Sequence, residues 1–335
     1  MCTAITYRTR DFYFGRNLDY ERSFGECVAV TPRKFRIPLR AGGVCETRYA
    51  MIGMASVRDG FPLYYDAVNE AGLCIAGLNF VGNAVYRAPQ EACTNWAQFE
   101  LIPALLGQCG SVQEARPLLT RLCITDASFV PGLPVAQLHW LIADREACIV
   151  LESTADGVHV YENPAGVLTN NPPFPIQQFA LNNYMQLSPQ APTHQFGGHV
   201  PMTEYSRGMG ALGLPGDGSS QSRFVRAAFL CANGVSGAGE SESVGQFFHM
   251  LDGVAQVRGT CQLADGSQEY TLYACCCNAS RGIYYYTTYT NRQITAVDLH
   301  RAPTDAAHVT CYPLRTTEAI CMENESGALS PDRSL

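Results

Sequence analysis

The chain opens Met1-Cys2-Thr3-Ala4-Ile5-Thr6-Tyr7 and returns, after Arg8 to Asp11, as Phe12-Tyr13-Phe14-Gly15-Arg16-Asn17-Leu18-Asp19. Apolar and polar residues alternate in the first stretch, a polar cluster interrupts them, and an aromatic run resumes before Gly15, which is the pattern of a β-hairpin. The chain thus begins inside a sheet. Further strand pairs are read at Gln137 to Ala143 with Ala147 to Ser153, and at Tyr270 to Cys277 with Ile283 to Thr290 and Gln293 to Leu299. Ser111-Val-Gln-Glu114 is a capping-box pattern that opens a helix, with Pro117 as a site for a kink, and a second helix is read after Ser222. Blocks of antiparallel strands flanked by helices favour an α+β fold in which sheets pack on each other and helices cover them, rather than a doubly wound core. A four-layer αββα sandwich fits.

Composition narrows the function classes. Hydrophobic residues make up 47% and charged residues 16% of 335, so the chain can bury a large core. The formal net charge of −7, with Lys34 as the only lysine, excludes a general polyanion-binding surface and so argues against nucleic acid as a partner. It also leaves no Walker motif and a single anchor for a Schiff-base cofactor. Gly208-Met-Gly210-Ala-Leu-Gly213 matches a dinucleotide fingerprint, but Leu-Pro215-Gly-Asp-Gly follows where a helix is required. No CxxC or HExxH is present and the histidines are dispersed, so neither a metal site nor a cofactor is expected. No apolar run is long enough to span a bilayer. Arg8, Arg10 and Asp11 stand where a secretory segment needs apolar residues. Fifteen scattered cysteines, an odd number, fit a reducing compartment, and a cytoplasmic location is expected.

With a GxSxG elbow absent, the unusual residue is Cys2. Once Met1 is removed, Cys2 carries a free α-amine that titrates near about 8, beside a thiol of about 8.5 in reference peptides, so one residue supplies both nucleophile and base. Arg16 and Asp19, on the next strand of the hairpin, are placed to face Cys2 and its amine; a guanidinium there favours thiolate and a carboxylate orients ammonium.

Here the sequence resembles the choloylglycine hydrolase family of N-terminal nucleophile hydrolases, which comprises bile salt hydrolases and penicillin V acylases. The landmarks are Met1-Cys2-Thr3, Phe-Gly-Arg16-Asn-Leu-Asp19, Asn69-Glu-Ala-Gly-Leu73 with Gly77-Leu-Asn79-Phe, Val-Leu-Thr-Asn170-Asn-Pro, Gly213-Leu-Pro-Gly-Asp217 and Ser222-Arg223-Phe. Their order and spacing cover nearly the whole chain. Taken singly, Asn170-Asn171-Pro-Pro is also an ordinary turn, Arg223 a helix cap or ion-pair partner, and Asp19 a hairpin closer.

The resemblance implies the αββα sandwich, with Cys2 as nucleophile, Arg16 and Asp19 beside it, Asn79 and Asn170 as oxyanion-side groups, and Arg223 as a second active-site guanidinium. It implies residues 1–321 as one domain with 322–335 as a polar tail, and a homotetramer. Asn79 resembles the bile-salt branch, so the expected substrates are taurine- and glycine-conjugated bile salts. The loops that correspond to the family's pocket supply Leu18, Phe61, Tyr65, Phe129 and Leu133, residues that serve equally as ordinary core. Arg58 stands where related hydrolases can carry an aromatic side chain. Tyr205-Ser206-Arg207-Gly208 resembles a loop that reaches a neighbouring subunit's site, and Arg207 is matched there to the sulfonate of taurine. The alternatives are the same machinery acting on penicillin V or another N-acyl substrate, and a thiol-rich ligand-binding or redox-sensing protein without turnover.

Overall fold

The N-terminal hairpin forms at the predicted place and becomes the centre of a sheet. In the computed structural model, which describes residues 1–132 and 134–322, β1 (Cys2–Arg8) and β2 (Phe12–Tyr20) pair antiparallel, with Cys2 opposite Leu18 and Ala4 opposite Arg16. Strands β3 (Cys27–Thr31), β4 (Arg36–Pro38), β5 (Val44–Glu46), β6 (Met51–Arg58), β7 (Phe61–Asn69), β8 (Cys74–Asn79) and β9 (Thr94–Ala97) follow. Two helices, α1 (Leu101–Gln108) and α2 (Val112–Leu119), precede β10 (Leu122–Thr125), β11 (Leu138–Ala143), β12 (Cys148–Thr154), β13 (Gly157–Glu162) and β14 (Val167–Leu168). Then come α3 (Phe174–Ala180), α4 (Ser220–Asn233) and α5 (Glu240–Asp252), and finally β15 (Tyr270–Asn278), β16 (Ile283–Thr288), β17 (Asn291–Asp298) and β18 (Thr310–Pro313).

Two large sheets result. The first has the order β14-β1-β2-β15-β16-β17 and the second β13-β12-β11-β8-β7-β6-β3-β18, with every pairing in both antiparallel. One core runs through β1, β2, β15 and the facing side of the second sheet, and includes Phe224, Phe247 and Leu251 of α4 and α5. A second core lies between the other face of that sheet and α1 and α2. Neighbouring residues on β8 show the division: Cys74 and Ala76 belong to the first core and Ile75 to the second. This is the αββα sandwich. Burial on both faces explains why these strands read as continuous apolar runs instead of clean alternation.

The helices differ from the sequence expectation in detail. Ser111 caps α2 by accepting from the Glu114 backbone N–H at 3.2 Å, but the Glu114 side chain reaches back to Gly110 N–H at 2.9 Å instead of to the cap residue. Helix α4 starts at Ser220, not after Ser222, because the Ser219 hydroxyl accepts from Ser222 N–H and takes the cap role. The connection predicted to be irregular across 187–201 is so, and exposure continues to Gly208. Of the predicted polar tail only Met322 falls among the described residues, and it is exposed.

Strand β2 is buried along nearly all its length because β1 and β15 flank it. Gly15 permits that approach: a Cβ there would lie 2.0 Å from the Cys275 carbonyl oxygen. Gly15→Ala is expected to cost about 3 kcal/mol of stability in urea unfolding, at the upper end for an overpacked core, while Gly216→Ala, where a Cβ meets open space, changes little.

Candidate active site

Cys2 is the first residue of β1 and is buried at its end of the sheet, against Leu18. Its backbone N–H donates to Asn170 Oδ1 at 2.8 Å. Arg223, near the start of α4 and fully buried, ties this point to the rest of the fold. Its Nε donates to Gly218 O at 3.0 Å, Nη1 to Thr3 Oγ1 at 2.6 Å and to the Cys2 carbonyl, and Nη2 to Asn170 Oδ1 at 2.7 Å. Two donors converge on Asn170 Oδ1, which fixes the orientation of that amide and turns Nδ2 to the Asn79 carbonyl at 2.8 Å. The amide is also held from behind: Ser220 Oγ accepts from Asn170 N–H at 2.8 Å, and Gln177 Nε2 donates to the Asn170 carbonyl.

Arg16 lies on β2, opposite Ala4, and its guanidinium is completely buried. Nη1 donates to the carbonyls of Gly77 at 2.5 Å and Tyr65 at 3.1 Å, while Nη2 has no partner. Burial opposes its charge, but Cys2, Tyr273 and Asp66, once ionised, more than offset that and raise its pKa on balance. Asp66 is buried beside it and accepts from Tyr273 and Tyr284 hydroxyls at 2.6 Å each and from the Cys275 thiol at 3.5 Å. Burial pushes the Asp66 carboxyl up, with Arg16 and these donors pulling it back in part.

Asp19 lies beside the N-terminus and is bound through both its backbone and its side chain. Its backbone carbonyl accepts from the Met1 ammonium at 3.0 Å, whereas its carboxylate points to β15, where Oδ1 accepts from Thr271 Oγ1 at 2.6 Å and Oδ2 is buried without a partner. Burial raises this carboxyl too, and the Arg223 guanidinium and the N-terminal ammonium act in the opposite direction. The Met1 ammonium is itself lowered by burial and contacts the Glu269 carboxylate.

Cys2, Arg16, Asp19, Asn79, Asn170 and Arg223, spread over more than two hundred residues, are therefore brought to one end of the inter-sheet space. Leu18 and Tyr65 belong to the same core, Leu18 directly across from Cys2. Phe61 and Phe129 do not: they pack with Phe99, ring centroids 5.2 to 5.6 Å apart, in the other core, and Arg40 lies over Phe99 and Phe129. Phe61 and Tyr65, four residues apart on β7, fall on opposite faces because the pairing of β7 with β6 shifts register between Tyr64 and Asp66. Leu133 lies outside the described residues. Arg207 is exposed, on the arm that runs from 186 to 208. Thr271, Ser220, Gln177, Glu269 and Asp66 were missed from sequence, where polar residues on distant strands carry no local signal of what they will meet. Among the described residues no group of three or more His, Cys, Asp or Glu is arranged to hold a metal, and no helix is long and apolar enough to cross a membrane. A wide cleft lined by Tyr7, Arg8, Asn163, Leu181, Tyr184 and Phe229 opens at the β14 edge and contains none of the predicted site residues.

Comparison with known proteins bears on the family and the fold. The family model for linear amide C–N hydrolases of the choloylglycine hydrolase family matches residues 2–312. The chain belongs to the choloylglycine hydrolase family. A bile salt hydrolase/transferase of Lactiplantibacillus plantarum is 50% identical over 316 residues, covering 94% of this chain and 98% of that protein. A mutant of conjugated bile acid hydrolase from Clostridium perfringens superposes with a TM-score of 0.90 at 34% identity, over 96% of this chain and 99% of that one. Penicillin V acylase from Agrobacterium tumefaciens shares the fold, with a TM-score of 0.75 at 19% identity, over 97% and 96% of the two chains. As a choloylglycine hydrolase family member the protein is an enzyme that hydrolyses linear amide bonds, built on the N-terminal nucleophile fold.

Removing the Arg223 fork would take a donor from four acceptors at once, of which Asn170 Oδ1 and the Gly218 carbonyl keep a second donor. Arg223→Met is expected to lower unfolding free energy by about 3 kcal/mol in urea titration, and Arg223→Lys to recover only part, because a point charge cannot span Gly218, Cys2, Thr3 and Asn170 together.

Proposed function

We propose that the protein is a bile salt hydrolase that cleaves taurine- and glycine-conjugated bile salts through a thioester on Cys2. The observation that carries the reading is the anchoring of the Cys2 backbone nitrogen, 2.8 Å from Asn170 Oδ1 in a site where Arg223 holds both residues. Removal of Met1 converts that nitrogen into an α-amine next to the thiol, already aimed by its partner. The names carried by relatives up to 50% identical support the substrate class.

In this mechanism the α-amine takes the Cys2 thiol proton as sulfur attacks the amide carbonyl. Negative charge grows on the carbonyl oxygen, where amide donors from the Asn79 and Asn170 region are worth about 3 kcal/mol each. The α-ammonium then gives its proton to the departing nitrogen, releasing taurine or glycine and leaving an acyl thioester. Water, deprotonated by the same amine, attacks the thioester, and the proton returns to sulfur as the free bile acid leaves. An amine in place of water would form a new amide; relatives carry the name hydrolase/transferase. Arg16 supplies positive charge beneath the site, the buried Asp19 carboxylate supplies negative charge that favours the nearby ammonium without bonding to it, and Leu18 and Tyr65 form an apolar wall for the steroid.

The enzyme is further proposed to be a cytoplasmic homotetramer, with Arg207 of one subunit reaching a neighbour's site. The exposed apolar side chains Phe196, Met202, Tyr205 and Leu212, along and just beyond the same arm, favour its contact with another chain.

Parallel assays with taurocholate, glycocholate and penicillin V test the substrate class: bile salts are expected to turn over faster, and preferential cleavage of penicillin V would overturn the reading. Mass spectrometry should find the mature chain without Met1. Cys2→Ser is expected to reduce turnover by about a hundredfold or more; undiminished activity, or a Cys2 no more reactive to alkylation than the other thiols, would point to the non-catalytic alternative. Arg207→Ala should shift the taurine-to-glycine rate ratio about tenfold, as expected for loss of one charge-assisted hydrogen bond to a sulfonate.

A further inference from the structure

One buried imidazole touches both sides of the contact between Asn79 and Asn170. His139, on β11, is fully buried, and its Nε2 lies 2.9 Å from the carbonyl oxygen of Thr169, the residue before Asn170. Its ring stacks on Phe80, the residue after Asn79, with centroids 4.3 Å apart and planes inclined by 6°. On the opposite edge Nδ1 is 2.9 Å from Glu152 Oε1 of β12, also fully buried. The same oxygen accepts from the Phe174 backbone N–H at 2.9 Å, where α3 begins. The carbonyl of Thr169 can only accept, so Nε2 carries a hydrogen, and the remaining hydrogen of the pair lies between Nδ1 and the Glu152 carboxyl.

Burying an imidazole and a carboxylate is costly, and a well-packed apolar pair of the same volume would be no less stable. What the polar pair supplies is direction. From one side it pins the start of the Thr169–Phe174 segment, from the other its end, and the Asn170 amide sits between. Neither side chain has a part in the proposed chemistry, and Glu152 Oε2 is left buried without a partner in order to make this arrangement.

We propose that His139 and Glu152 are positioning residues, which hold the 169–174 segment so that the Asn170 amide stays aimed at Cys2 and Asn79. The inference rests on the reading of Asn170 as an oxyanion-side group, but its structural half can be measured without substrate. His139→Phe keeps a ring for Phe80 and removes both hydrogen bonds; His139→Gln keeps a donor close to where Nε2 stands. In the mature enzyme, His139→Phe is expected to accelerate backbone amide exchange in peptides covering 169–174 while β1 and β2 exchange as before. It should lower kcat for taurocholate about tenfold or more, with KM within about twofold. His139→Gln should recover most of both effects, a rescue that simple loss of core packing would not give.

Unchanged exchange at 169–174 in folded His139→Phe, a kcat equal to that of the wild type, or a Gln variant no better than Phe would overturn the proposal. If His139→Phe does not fold, Glu152→Gln gives the same readout: local exchange and kcat must both move, and if neither does the proposal falls. Failure of the unaltered protein to cleave taurocholate would instead sink the functional reading, and the exchange measurements would still decide the clamp.

Discussion

A single buried guanidinium ties the parts of the site together. Arg223 reaches from α4 to the first strand and to the turn that follows β14, joining Gly218, Cys2, Thr3 and Asn170 through one planar fork. Burying a charge is costly unless its donors are satisfied, and here every nitrogen of the fork has a partner, whereas Arg16 leaves Nη2 without one. The constraint is reciprocal. Because the acceptors come from three parts of the chain, the charge is stable only when the helix, the hairpin and the turn are in register, and the same register creates the site.

Arg16 and Arg223 show how two buried arginines in one site differ. Arg16 is surrounded by groups that become anionic, and its charge is reinforced; Arg223 feels burial and the neighbouring Arg226 as well as Asp19 and Cys2, and its pKa is lowered. Arginine stays protonated in either case, so neither serves as a proton carrier. Both stand as fixed positive charge near Cys2. The carboxyls that balance them, Asp19 and Asp66, are each pushed up by burial, so their ionised forms are sustained by these guanidiniums and by hydroxyl donors from β15 and β16, not by water. A buried network of this kind specifies a unique arrangement at the expense of stability that an apolar core would supply.

Much of the scaffold was legible in the chain. The hairpin at Cys2 to Asp19 and the strand pairs at 137–153 and 270–299 declare themselves by alternation and by polar breaks, and each occurs where it was read. Of the landmark residues, Cys2, Asn79, Asn170 and Arg223 are joined by hydrogen bonds, whereas Asn69 binds carbonyls at the end of α1. What was not legible is the set of contacts that aim them. The hydrogen bond of the Asp19 carboxylate to Thr271 follows from which strand lies on the far side of β2, and Phe61 and Tyr65 part to opposite faces because of a register shift in β7. Such facts belong to sheet order and register, which no local pattern encodes.

By itself the sequence determined the N-terminal hairpin, the strand pairs at 137–153 and 270–299, two of the helices, the absence of the common cofactor motifs and the singular position of Cys2, since these follow from local alternation, side-chain chemistry and chain position. Only the tertiary structure decided that Asn170 presents its oxygen to Cys2 and Arg223 and its nitrogen to Asn79, and that His139 joins both flanks of that contact. The reason is that an amide is pointed by partners far away in the chain. Their convergence exists only once two sheets have stacked and closed the space between them.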